Sequence, residues 1–221
     1  MMTTRSPKKQ LFEQLARVGK AVSNSNRLEL LEFLAQGEKS VEALANVAGL
    51  SLANTSQHLQ NLRSAGLVNS RKSGQKVLYK LSDESVVDLL NLFRMIAEKN
   101  IAEVEQLINL YLKSKDNMEP VPAKELLKRA KNGLVTVLDV RPPDEYAAGH
   151  IPGAINVKVK DLDKFVKEID SGKEIVAYCR GAYCLMSYDA VVKLRKEGFK
   201  ARRLEEGFPE WKRAGLPVDK R

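Results

Sequence analysis

Apolar residues in the first half of the chain recur at helical spacing, whereas in the second half they gather into short runs separated by helical stretches. Leu28, Leu31 and Leu34 repeat behind Asn24 and Ser25, and the Gln36-Gly37 pair offers a left-handed stop, so one helix is expected there. Two short helices follow. Ser40 is placed to cap the first, which Gly49 ends; Ser51 is placed to cap the second, which turns Leu52, Leu59 and Leu62 inward and stops at Gly66. Strand-like runs at residues 67–71 and 77–81 then flank a Gly-containing turn over 72–76, which predicts a β-hairpin wing.

Beyond the wing, Val86, Leu90, Phe93, Ala97, Ile101, Val104, Ile108 and Tyr111 form one apolar stripe. The stripe predicts a helix of about 30 residues spanning about 45 Å, with Asp83 and Glu84 at its positive end. A small domain cannot cover so long an apolar face, so a homodimer through residues 83–113 is expected. The polar stretch KSKDNMEPVP closes with two prolines that oppose a continuing helix, which places a linker at 114–122. Runs at 134–140, 154–157, 174–179 and 201–204 read as strands that alternate with helical stretches such as 187–197, the pattern of an α/β domain with a mainly parallel sheet. The expected fold is therefore two domains: an all-α winged helix-turn-helix with a β-hairpin wing over 1–113, and an α/β domain over 123–221.

Length agrees, since 221 residues suit two domains of about 100 residues each. A net charge of +9 and a pI near 9.5 admit nucleic acid, an acidic partner or a membrane surface. Distribution favours nucleic acid: residues 43–82 contain no Asp or Glu but do contain Arg63, Arg71, Lys72, Lys76 and Lys80. No apolar run reaches the roughly 18 residues of a spanning helix, and MMTTRSPKKQLFEQL lacks a signal-peptide core, so a cytoplasmic protein without a membrane partner is expected. Two cysteines are too few for a secreted disulfide framework, which draws attention to their chemistry; no cofactor is called for.

A helix that enters the major groove needs exposed residues able to pair with base edges. Asn54, Ser56, Gln57 and Gln60 fit that need, with Arg63 placed for a phosphate and Arg71, Lys72 and Lys76 for the flanking backbone or minor groove of double-stranded DNA. The segment SLANTSQHLQNLRSAGLVNSRKSGQKVLYKL resembles the recognition helix and wing of the ArsR-type metalloregulators, a likeness that extends over roughly residues 10–100. The resemblance implies a dimeric repressor that leaves its operator when an inducer binds. The sequence departs from the metal-sensing members, because residues 40–49 hold no Cys or His and residues 83–113 hold no His; no metal site is expected. His58 reads as a helix-surface or half-buried hydrogen-bonding residue.

The second candidate site is the loop after Glu174-Ile175-Val176-Ala177-Tyr178, a buried strand that delivers Cys179 at its C-terminal end. Arg180, Gly181, Ala182, Tyr183 and Cys184 follow, and then a helix. Such a loop can aim backbone N–H groups at one sulfur, and a helix N-terminus with a neighbouring arginine lowers a thiol pKa from about 8.5, which would make Cys179 nucleophilic. The segments VLDVRPPDEYAAGHIPGAINV, VAYCRGAYC and LEEGFPEWKRAGLPV resemble three signatures of rhodanese-type sulfurtransferase domains, in order and across nearly all of residues 122–220. That resemblance implies that Cys179 takes sulfane sulfur from a donor as a persulfide and passes it to a thiol acceptor. Arg141 and Glu145 are expected to pair across the first loop, His150 to be structural, and Asp139 either to face the active loop or to serve its hydrogen bonding. The family often has arginine five positions after its cysteine; here the residue is Cys184, which weakens the case for thiosulfate although Arg180 still offers a planar donor. Cys184 either resolves Cys179 through a bridge or packs at the helix start. The reading is a transcriptional regulator, a repressor, tuned by sulfur loading or thiol oxidation at Cys179. Two alternatives stay open: a working sulfurtransferase tethered to DNA, and a repressor with a non-sulfur inducer.

Overall fold

The computed structural model describes residues 6–116, 118–167, 169 and 172–220, and the chain forms two compact units divided between Leu90 and Asn91. In the first, α1 (Pro7–Val22) starts on Ser6 and α2 (Ser25–Ala35) on Asn24, each cap accepting an N–H of its own first turn. Gly37, just past α2, takes φ 147°, an angle that favours glycine but lies outside the left-handed helical well. Ser40 caps α3 (Val41–Ala48) through the Ala43 N–H, and Gly49 ends that helix at φ 65°. Ser51 caps α4 (Leu52–Ser64) through the Asn54 N–H, with Gly66 at φ 77° beyond it. Leu30, Leu31, Leu44, Leu59 and Leu62 are fully buried, each contributing roughly 1.5–3 kcal/mol by leaving water.

Four expectations need correction. Leu52 does not point inward: it is 53% exposed, and Thr55 takes the inner position of that turn with its hydroxyl donated to the Ser51 carbonyl. The start of α4 at Leu52 thus projects beyond the core, and its buried face begins at Thr55. The wing is more than a hairpin, because β1 (Lys39–Ser40) joins β3 (Lys76–Leu81) on the side away from β2 (Val68–Ser73), giving an antiparallel order β1-β3-β2. The β2–β3 turn is also tighter than expected, since Ser73 pairs with Lys76 and leaves two residues, of which Gly74 has φ 59° as a type II′ turn requires. The long helix is broken: α5 (Ser85–Asn100) is followed by Ile101 at φ −117° and ψ 104°, then α6 (Ala102–Ile108) and a π-helical turn over Asn109–Lys113. Asn100 donates its side-chain amide to the Ile96 carbonyl and so competes with the helical ladder, and β-branched Ile101 readily adopts the extended form.

In the second unit β4 (Val135–Asp139), β5 (Ile155–Asn156), β6 (Glu174–Tyr178) and β7 (Ala201–Arg203) form a parallel sheet in the order β5-β4-β6-β7. The helices α7 (Ala123–Lys131), α8 (Pro143–Ala148), α9 (Leu162–Phe165), α10 (Leu185–Lys196) and α11 (Phe208–Arg213) accompany it. Both faces of the sheet are covered, so β6 reads as a continuous apolar run whose alternate residues enter different cores. Val176 and Tyr178 join Trp211, Leu126 and Phe208 on one face; Ile175, Ala177 and Cys179 join Leu162, Val191 and Leu194 on the other.

The segment between α6 and α7 is tied down. Asp116 is buried and accepts from Arg195 Nη1, Arg203 Nε and the Met118 N–H. Burial opposes its charge, but the Arg195 hydrogen bond and the charges of both arginines hold its carboxyl below the usual range. Val121 then exchanges backbone hydrogen bonds with Arg203 and Glu205 beside the end of β7. Among the described residues no helix is long and apolar enough to cross a membrane.

Candidate functional site

The outer face of α4 carries Asn54, Gln57 and Gln60 exposed and Ser56 half-buried, one polar stripe opposite Thr55, Leu59 and Leu62. Arg63, at the end of that helix, donates to the Ser70 hydroxyl on β2. Lys72 and Lys76 stand exposed on the wing, whereas Arg71 is engaged by Glu38 through two nitrogens. Glu38 lies just outside the acid-free window 43–82, so the pairing is legible only after β1 has been placed beside the wing. His58 is half-buried, and its Nδ1 has no hydrogen-bond partner among the described residues.

At the end of β6, Cys179 is buried and bonded to Cys184, the residue that opens α10, with 6.2 Å between their Cα atoms. The loop between them folds back on itself: the Cys184 N–H donates to the Gly181 carbonyl at 3.1 Å, and Tyr188 donates to the Ala182 carbonyl at 3.3 Å. In this bonded state neither sulfur is a thiolate. The chemistry open to the pair is thiol–disulfide exchange, with attack at one sulfur expelling the other.

The polar residues around the loop are spent on one another. Asp139 and Arg141 are both fully buried, and the carboxylate accepts from Arg141 Nη2 at 2.6 Å, from the Arg141 N–H at 2.9 Å and from the Tyr178 hydroxyl at 2.5 Å. Of the two roles open to Asp139, the geometry shows the hydrogen bonding. Burial opposes the Arg141 charge, and the Asp139 hydrogen bonds outweigh it, raising the guanidinium pKa; Phe208 and Tyr178 lie over the same group. Glu145 acts on Arg141 electrostatically, but its carboxylate also grips Arg180, with contacts of 2.9 Å from Nε and 2.8 Å from Nη2. Arg180 is therefore turned toward Glu145 and away from the role of an open oxyanion donor. His150 stacks on Tyr146, consistent with scaffold duty.

Gly207 has a requirement that the sequence did not reveal. A Cβ there would fall on the Arg180 carbonyl and the Gly181 N–H, while the next N–H, of Phe208, donates to the Cys179 carbonyl at 3.1 Å. The third motif thus presses its backbone directly against the cysteine loop. Glu210 completes this corner by accepting the Gly207 N–H at 3.0 Å; its burial pushes the carboxyl pKa up.

A winged helix-turn-helix with an open polar helix, in one chain with a parallel α/β unit that ends a strand on a bonded cysteine pair, defines a DNA-binding regulator carrying a rhodanese-like domain. Residues 24–70 match the family described as bacterial regulatory protein, arsR family, and residues 122–214 match the rhodanese-like domain. The chain is 45% identical over 209 residues to the HTH-type transcriptional regulator Rv0324 of Mycobacterium tuberculosis, covering 95% of this chain and 92% of that one. It belongs to the ArsR family of transcriptional regulators and carries a rhodanese-like domain. Its second half is similar to a sulfurtransferase of Allochromatium vinosum, 33% identical over 38% of this chain and 78% of that one. Among solved structures, the homodimeric winged helix-turn-helix domain of Mb0332 from Mycobacterium bovis is 40% identical, covers 46% of this chain and 94% of that one, and gives a TM-score of 0.41. A rhodanese-related protein from Thermoplasma volcanium is 30% identical, covers 46% and 98%, and also gives 0.41.

Proposed function

We propose that the chain is a cytoplasmic repressor whose operator affinity changes when Cys179 accepts sulfane sulfur. In this reading residues 1–113 bind DNA and dimerise, 114–122 link, and 123–221 sense. The open face of α4 supports base reading by Asn54, Ser56, Gln57 and Gln60, and the wing lysines with Arg63 and Arg71 support backbone contacts. Exposed Phe93, Ile101 and Tyr111 support dimerisation through residues 83–113, because a second copy would remove them from water even though the helix is broken at Ile101.

The observation that carries the sulfur reading is the position of Cys184 within bonding reach of Cys179. A persulfide donor, RS–SH, is attacked at its outer sulfur by the Cys179 thiolate; RS⁻ leaves and Cys179 holds a persulfide. The Cys184 thiolate then attacks the inner sulfur, Cys179 Sγ, and the outer sulfur departs as hydrosulfide with the electron pair. A disulfide remains, and two electrons from a cellular dithiol reopen it. The engaged state of Arg180 argues against an anionic donor such as thiosulfate.

The test uses the full chain. A duplex selected from a random pool by the reduced protein is titrated with reduced protein and with protein treated with a glutathione persulfide. Changed affinity supports the reading, and unchanged affinity refutes it. A second reading, a sulfurtransferase tethered to DNA, is favoured by the likeness to the Allochromatium sulfurtransferase. It predicts steady multiple turnover with a thiol acceptor, where the sensor predicts one sulfur transferred and then bridge closure.

A further inference from the structure

Tyr183 immediately precedes Cys184, within the short loop that the Cys179–Cys184 bond closes. Its ring is 42% exposed, and its hydroxyl donates to Glu98 Oε1 on α5 at 2.6 Å. Glu98 is steadied from one turn earlier by Arg94, whose Nε lies 4.0 Å away and whose side chain is only 20% exposed. The charge of Arg94 also acts on Glu210, the residue that holds the Gly207 N–H beneath the Arg180–Gly181 peptide. The loop is therefore tied to the second half of α5 through the Tyr183 hydroxyl.

The division between the two units falls inside this same unbroken helix. At its other end Val86 and Val87 are buried, and Val86, Leu89 and Leu90 belong to the core that also holds Leu59 and Leu62 of α4. The helix is continuous from Ser85 to Asn100, so Glu98 and the buried Val86 and Val87 lie on one hydrogen-bonded segment, and the break at Ile101 lies beyond Glu98.

We infer that the Tyr183–Glu98 hydrogen bond is the element through which the bonding state of Cys179 and Cys184 reaches α5 and the DNA-reading unit. Glu98 is a positioning residue in this scheme and takes no part in the sulfur chemistry. The inference rests on the sulfur-sensing reading and specifies its route. The loop holds its present position while Tyr183 is seated on Glu98; opening the bridge lets the Tyr183 segment relax and removes one lateral hold on α5.

The experiment compares the ratio of DNA affinities, reduced over bridged, in wild type, Glu98→Ala, Glu98→Gln and Tyr183→Phe, with thiol counting and sedimentation on each. Allosteric couplings are usually about 5- to 150-fold, and Glu98→Ala and Tyr183→Phe are each expected to bring the ratio below about twofold. Bridge formation by thiol count should stay at the wild-type level in Glu98→Ala. Glu98→Gln keeps an oxygen acceptor for the tyrosine hydroxyl and should recover part of the ratio. The Glu98→Ala/Tyr183→Phe double variant should show no further loss beyond either single one. If wild type responds and these variants respond as strongly, the inference is overturned and the sensing reading stands. If wild type itself gives no ratio, both fall together.

Discussion

The outer face of α4 and the Cys179 loop are built by opposite means. On α4 the core side is closed by Thr55, Leu59 and Leu62, while Asn54, Gln57 and Gln60 are left to solvent. Around Cys179 the polar groups are paired internally: Asp139 with Arg141 and Tyr178, Glu145 with Arg180, and one cysteine with the other. An open helix face suits a large partner that makes many individually weak contacts. A closed loop suits one covalent event whose consequence spreads through groups that have no spare freedom. The difference predicts that substitutions on α4 alter binding with little effect on folding, and that substitutions around the loop alter folding first.

The largest effect is expected for Asp139→Ala, which strands the buried Arg141 charge; loss of one partner of a buried pair costs about 3–5 kcal/mol. Chemical denaturation should show an earlier transition for the second unit and an unchanged one for the first. A common shift of both would break the contrast. Gly207→Ala comes next, because the added Cβ must push the Arg180–Gly181 peptide aside; overpacking of this kind costs about 1–3 kcal/mol, and bridge closure, followed by thiol counting, should slow.

Asp116 gives a prediction with a pH sign. Its folded carboxyl is held below the ordinary value of about 3.9, so its contribution is present above that pH and is lost as pH falls through the folded value. Asp116→Asn should flatten the acid limb of the stability curve below about pH 4 and cost about 2 kcal/mol near neutrality, where charged hydrogen bonds are lost. Smallest in stability, and sharpest as a contrast, is Gln57→Ala: unfolding should stay within about 0.5 kcal/mol of wild type. DNA affinity measured by anisotropy should fall about tenfold, as loss of a base contact worth about 1–3 kcal/mol implies, and only for the preferred sequence.

What was legible in the sequence follows the same division. Capping serines, Gly49 and Gly66 mark α3 and α4 because local chemistry alone sets those ends. The apolar runs reveal β4 and β6 because strands buried on both faces need them. The break at Ile101 was hidden, since the apolar stripe continues across it in register. Leu52 has the right spacing for the core and misses it because the helix outruns the core. At the cysteine loop the motifs identified Cys179 and Cys184, but the partner of Arg180, the closeness of Gly207 and the reach of Tyr183 to Glu98 join residues far apart in the chain. No periodicity carries such information.

The most direct test of the central claim is DNA affinity at one fixed salt concentration, for wild type and Cys179→Ser, each reduced and after treatment with a persulfide donor. The account predicts a change of about fivefold or more in wild type, at the lower end of ordinary allosteric coupling, and none in Cys179→Ser. Equal affinities in all four samples, or an equal change in both proteins, would contradict it.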